Sequence, residues 1–259
     1  MFFIKNDANK VLSFKERKRL QDIPRYYRTE ANIFGKKIIV NDTCTLLCDI
    51  DEIIEKEIYR FHTESKFPLI IDCGANIGIS IIFFKKLYPN AKVLAFEPDP
   101  VLFQMLSSNI EKFAFKNISL HQAAIWKDDC GVKFLLEGGH SGRISANQDE
   151  KRIIPVNSID LKKILGSFDL VDMLKIDIEG AEDEVIFHCM ENLKKCKNIF
   201  IEYHSNNAKK QNLHEILYLF NSFGYRYHIR EAFTRNHPFV DKNCMLEMDM
   251  QLNLFFYKE

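Results

Sequence analysis

The sequence has no long hydrophobic run, no CxxC pair, no internal repeat and no excess charge of either sign, and each absence excludes something. No uninterrupted apolar stretch reaches the roughly 18–20 residues that a bilayer-spanning helix needs. The apolar start Met1-Phe2-Phe3-Ile4-Lys5 is too short for a secretory core. Seven scattered cysteines, an odd number, argue against a closed disulfide framework and suit a reduced, cytoplasmic setting. Lys+Arg and Asp+Glu are equal at 36 each, so no global basic field draws the chain to nucleic acid or anionic lipid. The densest basic run, Lys15 to Arg19, is interrupted by Glu16 and reads as a solvated helix face.

What is present is an ordinary globular balance in 259 residues, 46% hydrophobic and 28% charged, enough to bury a substantial core. Residues 1–66 read as an N-terminal appendage, with a short strand at Ile38-Ile39-Val40 and a helical stripe over Ile50 to Phe61. It is expected to pack on the core, to cover a pocket or to make a dimer contact. After Pro68 the pattern changes, and residues 67–259 form the main domain. Strands are expected at 69–71, 93–96, 118–125, 171–176 and 199–201, alternating with helices at 79–87, 100–113, 182–193 and 213–223. Two extended pieces, 132–136 and 153–156, flank a glycine-bearing loop. Late strands near 225–229 and 248–257 have no helix between them. The expectation is an α/β fold: a mostly parallel seven-stranded sheet, helices on both faces and an antiparallel edge strand.

In such a sheet ligands settle at the carboxyl ends of the strands. The first strand runs into Asp72-Cys73-Gly74-Ala75-Asn76-Ile77-Gly78, where glycine permits a tight turn and a helix presents unpaired amides. The second strand ends at Glu97-Pro98-Asp99, 19 residues beyond Gly78, where a carboxylate can accept ribose hydroxyls. Glycines spaced by four are not GxGxxG. Asp72 would repel a pyrophosphate but attract a sulfonium and its amino group, which favours a cationic nucleoside over a nicotinamide dinucleotide.

These residues resemble the class I methyltransferases, and more narrowly the FkbM family. The narrower likeness rests on Ile71 to Gly78, Phe96-Glu97-Pro98, Ala123-Ala124, Val171 to Glu182 and Ile201-Glu202-Tyr203-His204. Cys73 stands where family members often carry Val. The resemblance implies a Rossmann-like fold and methyl transfer from S-adenosylmethionine to an oxygen, often a hydroxyl of a sugar or secondary metabolite. It also implies that Asp72, Gly74, Ala75, Asn76 and Gly78 surround the methionine part, that Glu97 and Pro98 hold the ribose end, and that Ala124 lies near the adenine.

Residues 175–182 and 202–204 bring acidic groups and an imidazole to that same sheet edge. An alcohol attacks a sulfonium methyl only as its proton is removed, so a carboxylate or histidine must be in reach. Asp177 and His204 are the expected bases, Glu202 orients the substrate or the imidazole, and Lys175 neutralises its acidic neighbours. Glu179 is placed against the substrate. Glu182, at a helix start, reads as a dipole partner. Asp177, Glu179, Glu202 and His204 are also ligands that magnesium or manganese accepts; the spacing leaves a metal unassigned. His140, Ser141 and Arg143, on the glycine-bearing loop, are placed over the acceptor pocket, with Arg143 suited to a phosphate or carboxylate. The acceptor is expected to be a saccharide or other small molecule. A methyltransferase of RNA or protein, a nicotinamide-dependent oxidoreductase and a non-catalytic binding module stand as alternatives.

Overall fold

The computed structural model describes residues 11–136, 142–144, 153–242 and 248–258. Polar side chains start its first helices. Ser13 accepts from the amide of Glu16 and opens α1 (Phe14–Gln21); Asp42 accepts from the amide of Cys44 and opens α2 (Thr43–Asp49). Between them lies a hairpin of β1 (Thr29–Ile33) and β2 (Lys36–Val40). The helical stripe expected over Ile50 to Phe61 is shorter than that. α2 continues as one wide π-helical turn, Ile50–Glu55, which closes through the Lys56 amide on Asp51 and stops where Glu57 takes φ +52°.

The main domain then alternates as its pattern demands. In order come β3 (Leu69–Cys73), α3 (Ile79–Leu87), β4 (Lys92–Phe96), α4 (Pro100–Glu111) and β5 (Ile118–His121). The small strands β6 (Ala124–Trp126), β7 (Val132–Leu136), β8 (Gly142–Ile144), β9 (Ile153–Val156) and β10 (Ser158–Asp160) follow. The chain ends with α5 (Leu161–Gly166), β11 (Val171–Ile176), α6 (Glu182–Leu193), β12 (Cys196–Asn206), α7 (Leu213–Ser222), β13 (Arg226–Glu231) and β14 (Met248–Tyr257). The seven-stranded sheet has the order β13-β14-β12-β11-β3-β4-β5. Strands β12, β11, β3, β4 and β5 are mutually parallel, and β14 runs against both β12 and β13. The late hairpin therefore closes one edge, with its reversed strand one place in.

The single strand expected over Ile118 to Ile125 is two. After β5 the amide of Ala123 turns back onto His121, and the amide of Ala124 bonds to Asn157. The chain thereby leaves the main sheet, and β6 pairs in parallel with β10.

Each sheet face has its own core. Leu161, Leu165, Val185, Ile186, Ile216 and Phe220 from α5, α6 and α7 cover one face. The other face buries α3 and α4 together with Leu20, Ile33, Ile38, Val40, Leu46 and Ile50 of the N-terminal segment. Asn109 on α4 ties that segment down: it accepts from the Ile39 amide at 2.7 Å and donates to the carbonyls of Ile39 and Ile77. A buried carboxamide with its partners in place is strongly oriented, so the N-terminal segment has a fixed position over the carboxyl edge of the sheet. Among the described residues no helix is long and apolar enough to cross a membrane.

Candidate active site

The loop after β3 is folded by its glycines. Gly74 has φ +88°, and a Cβ there would stand 1.9 Å from the backbone oxygen of Asp177. Only glycine lets the loop pass this close to the end of β11. Gly78, at φ +98°, caps α3, and a Cβ would meet Leu106 at 2.8 Å. The amides of Gly74 and Ala75 both bond to the carbonyl of Phe96, which stitches the loop to the end of β4.

Glu97 follows directly. It is 5% exposed, and its two oxygens accept from the amides of Asn76 and Asp99, each at 2.9 Å. Burial pushes its carboxyl up to about 7, against the pull of those two hydrogen bonds. Asp72 lies deeper. It is wholly buried, takes the hydroxyl of Ser80 at 2.5 Å, faces Lys175 Nζ at 3.4 Å and lines neither of the cavities described below. Its charge is thus met by Lys175, and the sulfonium attraction expected of it from sequence has no direct path. Lys175 also donates to the Gly74 carbonyl at 2.8 Å and to Asp177 at 3.1 Å. Burial alone would lower its pKa, but Asp177 and Asp72 hold the ammonium well above its ordinary value.

Two cavities meet over this loop. A narrow slot is walled by Phe96, Leu102, Ala123, Ala124, Ile125 and Ile178, with Glu97 and Pro98 at its floor. A larger cavity of about 440 Å³ lies between the N-terminal segment and the end of the sheet, and Ala75 lies on its wall. Gly74, Asn76 and Asp177 line both. The slot thus sets apolar side chains opposite a buried carboxylate, the kind of group that accepts ribose hydroxyls at the end of a second strand.

The acidic group at the end of β11 is arranged differently from simple strand alternation. β11 ends at Ile176, and Glu179, at φ +58°, turns into the slot while Glu202 faces the larger cavity. Behind them, His204 is 7% exposed and lines neither cavity. Its Nδ1 is 3.0 Å from Glu182, and its Nε2 lies 3.6 Å from Glu179 and 3.8 Å from Glu202. Burial alone would lower the imidazole pKa, but Glu182 and Glu179 raise it well above its ordinary value. Those carboxylates therefore favour the protonated imidazole. Burial pushes Glu179 up to about 8, with Asp177 and Glu202 adding repulsion that His204 partly offsets. Burial and Asp177 push Glu202 up to about 7. Of the four residues expected as possible magnesium or manganese ligands, Asp177, Glu179 and His204 offer donor atoms within 4.8 Å of one another, without Glu202. The imidazole of His204 lies within 3.0–3.8 Å of Glu182, Glu179 and Glu202.

Other expected residues lie elsewhere. Arg143 sits on β8 and lines neither cavity. His140 and Ser141 lie outside the described residues. Four wall residues of the larger cavity carried no local signal: Asp49 and Tyr59 from the N-terminal segment, and Gln251 and Asn253 from β14. Glu182 is more than a dipole partner. At 1% exposure it accepts from the amides of Ile178 and Gly180 as well as from His204.

A mostly parallel sheet of this order, with a slot beside Glu97 opening onto a second cavity at the end of its central strand, has the class I methyltransferase architecture. The chain belongs to the FkbM methyltransferase family: residues 72–227 match the methyltransferase FkbM domain. It is similar to methyltransferase sdnD of Sordaria araneosa, 44% identical over 174 residues, which cover 52% of this chain and 67% of the relative. It is likewise similar to methyltransferase 1 of Beauveria bassiana, 27% identical over 163 residues, covering 52% of this chain and 66% of the relative. A third relative is the 2-O-methyltransferase NoeI of Sinorhizobium fredii, 25% identical over 159 residues, covering 54% of this chain and 65% of the relative. The chain thus spans about two thirds of the length of these relatives. Among solved structures, the TYW2 of M. jannaschii in complex with AdoMet has a TM-score of 0.48 at 15% identity, covering 92% of this chain and 89% of that one.

Proposed function

We propose that this methyltransferase moves the methyl group of S-adenosylmethionine to a hydroxyl of a saccharide or other small metabolite. The observation that carries this reading is the meeting of slot and cavity at Gly74, Asn76 and Asp177. A nucleoside in the slot, against Glu97, Pro98 and Ala124, points its other end across Gly74 into the cavity where an acceptor has room. S-adenosylmethionine, when bound, supplies an electrophilic methyl on a sulfonium.

The chain's own residues do the rest. Glu202, raised to about 7, is matched to accept the hydroxyl proton near neutral pH as the new O–C bond forms and the S–C bond breaks. Asp177, fixed by Lys175 at 3.1 Å, orients the acceptor oxygen at the junction. His204, held by Glu182, keeps Glu202 and Glu179 in place without touching the acceptor. Holding oxygen and methyl in line is where most of the rate gain arises. The relative NoeI is named a 2-O-methyltransferase, which supports oxygen as the accepting atom.

The test is incubation with isotopically labelled S-adenosylmethionine and a panel of glycans and hydroxylated metabolites, read by mass spectrometry. A labelled methyl ether is expected. Labelled N-methyl or C-methyl products, with no ether, would overturn the reading.

A further inference from the structure

The larger cavity holds more polar groups than proton removal requires, and several have no partner. Asp49, at the end of α2, makes no hydrogen bond or ion pair among the described residues, yet it lines the wall that Asp177 and Glu202 share. Tyr59 is 5% exposed, its ring packed on Phe83, Phe84 and Phe200, and its hydroxyl has no hydrogen bond among the described residues. The buried Oδ1 of Asn253 has none either. Polar groups inside folded proteins are nearly always paired, so the Asp49 carboxylate and the Tyr59 hydroxyl, unpaired and lining one cavity, mark places where a ligand's own donors arrive.

The charge on this wall is lopsided. The cations nearby are already engaged: Lys175 with Asp177 and Gly74, Lys56 with Glu52, and Arg230 with Glu52 at 3.6 Å. Asp49, Asp177 and Glu202 face one another with only Lys175 near, and burial together with that repulsion raises the Asp49 carboxyl to about 7. A phosphate or carboxylate entering here would add a like charge. A cation would relieve the repulsion.

We propose that the acceptor is a polyhydroxylated small molecule bearing a protonated amine, of the amino-sugar or aminocyclitol class. Its ammonium group sits among Asp49, Asp177 and Glu202, and its hydroxyls reach Tyr59. This rests on the O-methyltransferase reading above and narrows it. It also gives the N-terminal segment a task, since Asp49 and Tyr59 both come from it. One other ammonium has access to the same wall, that of the methyl donor's methionine end, and the experiment separates the two.

Matched monosaccharides and cyclitols in free-amine, N-acetylated and phosphorylated forms are titrated calorimetrically into protein saturated with S-adenosylhomocysteine, then assayed for methylation. The free amines are expected to bind at least about tenfold tighter than the N-acetylated forms, the usual scale for a charge-assisted hydrogen bond. Asp49→Asn should remove that preference while leaving S-adenosylhomocysteine affinity within about threefold, and Tyr59→Phe, which preserves the ring packing, should weaken amine binding without affecting the cofactor. Equal or tighter binding of the N-acetylated or phosphorylated forms, or no binding of any form, would overturn the proposal. So would an Asp49→Asn variant that loses S-adenosylhomocysteine affinity and keeps the amine preference, because the wall would then serve the donor. Amines that bind with the expected preference but are never methylated on oxygen would sustain the acceptor class and sink the O-methyltransferase reading.

Discussion

Glu182 holds the Nδ1 of His204 at 3.0 Å, and both side chains are out of solvent. The same carboxylate accepts from the amides of Ile178 and Gly180, so one side chain shapes the turn after β11 and charges the imidazole behind Glu179 and Glu202. The pair is a positioning device. It sets where two cavity carboxylates stand without meeting a ligand.

Replacing Glu182 with Gln should therefore cost stability before it costs chemistry. Breaking one side of a buried ion pair typically destabilises by about 3–5 kcal/mol. Urea unfolding of Glu182→Gln should show a loss of that order. A loss under about 1 kcal/mol would mean the pair is not holding the turn.

Gly74 and Gly180 both have positive φ, but only Gly74 faces a wall. A Cβ at Gly74 would collide with the Asp177 carbonyl at 1.9 Å, whereas nothing lies within 4 Å of one at Gly180. Gly180→Ala should lose only the backbone term, about 1–2 kcal/mol. Gly74→Ala should lose substantially more and also weaken S-adenosylhomocysteine binding, as calorimetry would show. Equal losses at the two positions would contradict the close approach.

Glu202 is faced by His204 on its own strand, by Lys175 from β11 and Asp177 just beyond it, by Gln251 from β14 and by Asp49 from α2. Its carboxyl stands at about 7, and it must be ionised to take a proton. The rate of methyl transfer should rise with pH through about 7, and Glu202→Gln should flatten that rise and lower kcat by about a hundredfold. A pH profile unchanged in the variant would move the base elsewhere.

The same carboxyls set how stability depends on pH. Asp49, Glu97 and Glu202 at about 7 and Glu179 at about 8 all stand above their unfolded values, so the folded chain binds more protons than the unfolded one. His204, raised as well, contributes stability below its unfolded pKa that is lost as pH climbs through the folded one. Both contributions have the same sign, and Tm should fall as pH rises from about 5 to about 8. A Tm that rises across that window would show these carboxyls to be better solvated than the structure has them.

Much of the donor side was legible because it is local. Asp72 to Gly78 and Glu97 each lie at a strand end followed by a helix, and the strand–loop–helix pattern alone sets Gly74 and Glu97 at one edge of the sheet. The acceptor side was not. Asp49 and Tyr59 reach the cavity through long-range packing of the N-terminal segment, including the Asn109–Ile39 contact 70 residues apart in sequence, that no periodicity records. His204 and Glu182 pair across 22 residues, a contact that the spacing of neither motif records. Asp72 was read from its charge, but the cation it meets is Lys175 on the neighbouring strand. Strand register, not spacing, brings those two together.

In the proposed function the slot beside Glu97 holds the nucleoside donor while the cavity beside Tyr59 holds something else. Calorimetric titration of S-adenosylhomocysteine into the unmodified protein, Glu97→Ala and Tyr59→Phe tests it without a known acceptor. Binding should be clear in the unmodified protein, at least about tenfold weaker in Glu97→Ala, and unchanged in Tyr59→Phe. No binding to the unmodified protein, or a loss at Tyr59 with none at Glu97, would contradict it.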